Sequence, residues 1–139
     1  MSEAIPPHGG VVPDTSLVTY THVVYALHAL SVVMGVTGAA SIAGSFVFGL
    51  PSIVAVIMNY ARRAEARDTF LASHFIWQIR TFWWALGWSV LAFVLSLPFM
   101  LIVIGFITFA LALIPIGIWV TYRVLRGWLA LRDGRPMYA

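Results

Sequence analysis

Two long stretches of this chain carry no ionised side chain. Between Asp14 and Arg62 lie 47 residues without Asp, Glu, Lys or Arg, and between Arg80 and Arg123 lie 42 more. As continuous helices they would run about 70 and 63 Å at a rise of 1.5 Å per residue. The hydrocarbon core of a bilayer is only about 30 Å thick. A single pass would push a long apolar helix into water, so each stretch reads as a hairpin of two crossings. Composition agrees: 61% of residues are apolar and 9% charged, where a soluble domain carries about a quarter charged. A chain this short folded in water would display much of that apolar excess, and the same balance excludes disorder. The expected fold is an all-α membrane protein, a bundle of four transmembrane helices arranged as two hairpins.

The small-residue run Gly35-Val36-Thr37-Gly38-Ala39-Ala40-Ser41 is the natural turn of the first hairpin, and Ser96-Leu97-Pro98 that of the second. A residue preceding proline disfavours helix. The expected helices are 16–35, 42–61, 69–97 and 99–127, with Asp68 as N-cap of the third. Pro51 and Pro115 fall inside the second and fourth, where each removes a backbone donor and is expected to bend its helix. The domain plan is a flexible tail over 1–15, a transmembrane domain over 16–128 with a basic loop at 62–68, and a short basic tail over 129–139. Nothing at the start looks like a secretory signal, since the first sixteen residues hold two acids and no Lys or Arg.

All eight basic residues are arginines, gathered at 62–80 and 123–135. Arginine-rich loops stay on the cytoplasmic side. Both clusters fall on one side when two crossings separate them, which puts both termini in the cytoplasm of a bacterial inner membrane. Arg62, Arg63, Arg67, Arg80, Arg123 and Arg126 are candidate contacts for anionic lipid headgroups, worth about 1 kcal/mol each near the surface. Two short clusters make no face that tracks a nucleic-acid backbone, so nucleic acid is not an expected partner. With no cysteine, disulfides and thiolate chemistry are excluded.

Polar groups inside a bilayer are costly and each needs an explanation. Thr21, Tyr25 and His28 recur at i, i+4 and i+7 and share one face of the first helix, while His22 points elsewhere. His28, near mid-membrane, reads either as a proton or metal ligand or as an imidazole hydrogen-bonded to Ser or Thr on another helix. The second reading is preferred because such bonds commonly join membrane helices. His74 and Gln78 form an i, i+4 stripe on the third helix. It reads as a docking surface at the cytoplasmic mouth or, preferred here, as an interfacial helix turning its polar side to water and headgroups. A haem would need two imidazoles at matching depth, and the pairing of His22 with His74 is the better candidate. No carboxylate pair, phosphate loop or nucleophile elbow occurs, so no catalytic residue, metal ligand or bound cofactor is expected, and the chain is not expected to be an enzyme.

Several short motifs also stand in a recognisable order: His28-Ala29-Leu30-Ser31, Leu50-Pro51-Ser52-Ile53-Val54, Ala72-Ser73-His74-Phe75-Ile76-Trp77-Gln78 after the basic loop, and Arg132-Asp133-Gly134-Arg135-Pro136-Met137-Tyr138. Over about residues 17–139 the chain resembles a family of small bacterial inner-membrane proteins of unknown function that includes the MamF-type magnetosome proteins. It is distantly similar to the membrane component of the chloroplast inner-envelope protein translocon. The resemblance implies the four-helix membrane fold and assigns no activity. The expected function is that of a scaffold, assembly factor or accessory subunit. Such a protein binds other membrane proteins, or its own copies, through small-residue helix faces such as Ala40-x-x-x-Gly44. An oligomeric channel or transporter component is the alternative, and a haem-binding redox subunit a more remote one.

Overall fold

The computed structural model describes residues 11–38 and 42–137, with side chains over 11–35 and 49–137. Among the described residues four helices follow one another: α1 (Thr15–Gly38), α2 (Ile42–Ala61), α3 (Leu71–Met100) and α4 (Ile104–Arg132). No strand occurs among the described residues. Among the described residues three helices, Thr15–Gly35, Leu71–Met100 and Ile104–Arg132, are long and apolar enough to cross a membrane.

Each hairpin is antiparallel, as its side-chain bonds show. Between α1 and α2, the Tyr20 hydroxyl donates to the carbonyl of Met58 (3.0 Å), while deeper in the pair His28 Nδ1 lies 3.1 Å from Ser52 Oγ. Between α3 and α4, Trp77 Nε1 donates to the carbonyl of Arg123 (3.1 Å). Further along, Phe93 meets Phe109 edge to face and Thr108 bonds Ser96. The hairpins join mainly through α1 against α4, with α2 beside α3.

Local chemistry sets the helix ends. At the start of α1 the Asp14 carboxylate accepts from the Ser16 hydroxyl (2.6 Å), as an acidic residue before a first turn should. α3 begins later than expected, at Leu71, and Asp68 does not cap it. Asp68 instead adopts a left-handed φ of 68°, and the neighbouring Thr69 side chain accepts from the Leu71 amide while donating to Ala66 O. The expected break at Ser96-Leu97-Pro98 also moves. α3 runs through Pro98 to Met100, because a proline in a last turn removes only one hydrogen bond. The chain reverses at Leu101–Val103, where Val103 takes a φ of 67°. Gly105 permits this close return: a Cβ there would meet the backbone nitrogen of Met100 and lie 2.6 Å from the carbonyl carbon of Phe99. In the first hairpin α1 continues through Gly35 to Gly38, so only the last part of the expected turn remains, and residues 39–41 lie outside the described residues. So do His8 and Ala40, together with the side chains of the Ala40-x-x-x-Gly44 motif.

The core sits at one end. Leu17, Tyr25, Ala66, Leu71, Phe75, Val124 and Leu131 form its buried cluster, under a cap made by residues 11–14, the 62–70 turns and the C-terminal segment 133–137. The Val11 amide donates to Asp68 O (3.0 Å), and Met137 is buried. From the contact between Tyr25 and His74, α1 continues for 13 residues and α3 for 26, lengths of roughly 20 and 39 Å. The hairpins are therefore unequal in reach. Along the outer halves of α3 and α4 and in the turn between them most large apolar side chains are exposed, Leu101 of the turn at 91%.

Candidate functional site

Thr21, Tyr25 and His28, the residues sharing one face of α1, are all buried. His74 and Gln78 are buried as well, with exposures of 0% and 2%. This corrects the expectation that their stripe turns to water. For His74 one cause is the C-terminal segment, which folds back over the start of α3.

His74 is held between two partners. Its Nε2 lies 2.8 Å from the carbonyl oxygen of Arg135 and its Nδ1 lies 2.9 Å from the Tyr25 hydroxyl. A carbonyl only accepts, so Nε2 carries the proton and Nδ1 receives the tyrosine hydrogen. The imidazole is thus a neutral bridge from α1 to the tail. The tail reaches it through a left-handed glycine: Gly134 has φ 65°, and the Arg135 amide turns back to Ala130 O (2.9 Å) while Gly134 bonds Leu131 O. This pairing is the glycine-terminated helix end that satisfies two orphan carbonyls. The Met137 amide then donates to the Ser73 hydroxyl (2.9 Å). Room for the Tyr25 ring comes from Gly127 of α4, where a Cβ would stand 2.7 Å from Tyr25 Cε1.

Other residues are tied in the same way. Trp128 Nε1 donates to His22 Nδ1 (3.0 Å), which ties His22 to α4. His28 Nδ1 meets Ser52 Oγ on α2, and the Ser52 amide donates to Ser31 Oγ (3.3 Å). Arg123 lies with its guanidinium 3.5 Å above the Trp77 ring, and its Nε donates to Thr81 Oγ1 (2.7 Å). The chain's single asparagine and single glutamine, Asn59 and Gln78, are buried with no hydrogen-bond partner for either amide atom, and His28 Nε2 likewise has none.

On the surface of this end, Arg62 pairs with Glu65 and lies 4.7 Å from the Tyr20 ring centroid, while Asp133 pairs with Arg132 and Arg135. Hydrogen bonds from Arg62, Ser16 and Arg135 lower the carboxyl pKa values of Glu65, Asp14 and Asp133 respectively. Arg63, Arg67 and Arg80 have no carboxylate partner among the described residues.

Sequence reasoning places His22, Tyr25, His28, His74 and Gln78 among the polar contacts and expects a Ser or Thr of another helix on His28, which is Ser52, but it does not find Asn59, Gly127 or the Arg135 carbonyl. Asn59 was detectable as a lone amide in an apolar helix. Gly127 and a backbone carbonyl carry no such signal. Among the described residues no three His, Asp or Glu side chains converge. What the arrangement does chemically is lock: it joins α1, α3, α4 and the tail through directional bonds without opening a reactive group to solvent. The geometry defines an all-helical bundle with a polar latch at one end and an apolar hairpin at the other. No protein family, no curated protein and no solved structure matches the chain.

Proposed function

We propose that this chain is a multi-pass protein of a bacterial inner membrane that works by contact, as a scaffold, assembly factor or accessory subunit. One observation carries the reading: α3 and α4 present apolar side chains outward along their outer halves, while the polar side chains at the other end turn inward on one another. An apolar exterior of this extent needs lipid or another protein against it. From Arg80 to Met100 and from Ile104 to Arg123 the helices measure about 30 and 29 Å, matching the hydrocarbon layer. Residues 11–14 and 133–137 lie with the arginine-bearing segments, and the arginine bias favours the cytoplasm for that side. The resemblance to the MamF-type proteins and to the translocon component is in keeping with the membrane setting and assigns no activity. Partners are other membrane proteins or further copies, with anionic lipid around the arginines.

The test is gentle extraction from native membranes with photo-cross-linkers at Val90 and Leu111, both outward-facing. The reading predicts adducts to a defined protein partner or to a second copy. Lone monomer, with adducts to lipid only, would overturn it.

A second reading, an oligomeric channel or transporter component, draws on the unpartnered amides of Asn59 and Gln78 and on His28 Nε2, which water in a path would satisfy. It predicts solute or ion flux from reconstituted protein that His28→Ala changes. Haem binding is disfavoured because both ring nitrogens of His74 are committed, and absence of a Soret band from protein purified from native membranes would remove it.

A further inference from the structure

We infer that the groove between α3 and α4, with the arginines at its lower end, is a binding site for one anionic phospholipid, its acyl chain in the groove and its phosphate on the guanidinium groups. The groove holds about 460 Å³ and is lined on α3 by Trp88, Ala92 and Leu95 and on α4 by Ala112, Ile116 and Trp119. Both sets repeat at i, i+4 and i+7, so each is one stripe of its helix. Facing alanines leave the space between them. Ala112 to Trp119 spans roughly 10 Å along the axis, room for part of one acyl chain laid along the helices.

Charge selects the occupant. One turn beyond Trp119 on the same stripe stands Arg123, 5.0 Å from the Trp119 ring centroid and stacked on Trp77. Arg126 lies 5.8 Å from the Trp77 ring centroid, and Arg80 is an electrostatic neighbour of Arg123. None of the three has a carboxylate partner among the described residues. Arg123 spends Nε on Thr81 and Arg126 spends one terminal nitrogen on Tyr122, leaving further N–H donors for phosphate oxygens. Three unneutralised cations beneath an apolar channel complement an acidic headgroup and its tail. A helix of a second copy would bring no anion to them.

The inference rests on the bilayer placement but not on the scaffold role. Full-length protein in phosphatidylcholine nanodiscs containing a minority of phosphatidylglycerol, released into a mass spectrometer, reads the retained lipids. Each arginine near an anionic headgroup is worth about fivefold in affinity, so one phosphatidylglycerol is expected to be retained at least about tenfold over phosphatidylcholine. The double variant Arg80→Gln, Arg126→Gln should remove most of that preference. Ala112→Phe, which fills an exposed groove and spares the core, should lower retention at least about fivefold with unchanged helicity. Equal retention of the two lipids, no effect of either variant, displacement by soluble glycerol phosphate alone, or a retained second chain that Ala112→Phe releases would each overturn the site. Alkaline carbonate distinguishes the levels of failure: a chain that washes off vesicles overturns the bilayer placement too, whereas one that stays while holding both lipids equally overturns only this site.

Discussion

Gly127 and Gly117 stand ten residues apart on α4 and would respond to an added methyl group in opposite ways. At Gly127 the methyl meets the ring of Tyr25, whereas at Gly117 nothing lies within 4 Å. The difference separates two regions built on different physics. At the tail end, packing and directional hydrogen bonds specify one arrangement. In the outer hairpin, helix propensity and the surrounding medium carry most of the stability. The first region resembles the interior of a soluble protein, with its polar groups inside. The second turns its apolar groups outward.

The comparison is most easily broken at the latch. Gly127→Ala should cost about 3 kcal/mol by overpacking, read as a fall in the thermal midpoint in mild detergent; an unchanged midpoint would mean that Tyr25 is not held there. Tyr25→Phe leaves the buried His74 Nδ1 without a donor and should cost about 2 kcal/mol, with earlier proteolysis of the C-terminal segment as a second readout. In the outer hairpin the signs reverse. Val103→Gly relieves a β-branched residue at positive φ and should gain about 1.5 kcal/mol, and Gly117→Ala should gain about 0.8 kcal/mol through helix propensity. Loss of stability in both would show that the outer hairpin is packed against something in the isolated protein.

The smallest effect is acid sensitivity. Asp14, Glu65 and Asp133 have carboxyl pKa values lowered by their hydrogen bonds, from ordinary values of 3.8, 4.5 and 3.8. A lowered folded-state pKa gives stability that is complete above the unfolded value and is lost as pH falls through the folded one. The midpoint should therefore stay level from neutral pH to about 5, then decline slightly below about 4. Because all three groups are fully exposed, a steep acid transition would have to come from elsewhere.

The sequence makes the two hairpins legible because each of its two stretches without a charged side chain is too long for one helix of ordinary length. It is less informative about where each turn falls. Pro98 signals a break, yet the reversal occurs at Val103, since a proline near a helix end costs one bond while Gly105 allows the close return. The Thr21, Tyr25 and His28 face follows from helical spacing alone. The burial of His74 does not, because it depends in part on a tail folding back from sixty residues away. Unequal reach of the hairpins is equally hidden, being set by which turn of α1 meets which turn of α3.

The central claim is that the outer hairpin of α3 and α4 crosses a bilayer with the arginine-bearing loop and the C-terminal segment together on one side. Because the chain has no cysteine, single Glu65→Cys, Ile102→Cys and Gly134→Cys variants can be probed with a membrane-impermeant maleimide on sealed vesicles of known orientation. The account predicts that positions 65 and 134 label from the same face and position 102 only from the opposite one. Labelling of 65 and 102 from one face would contradict it.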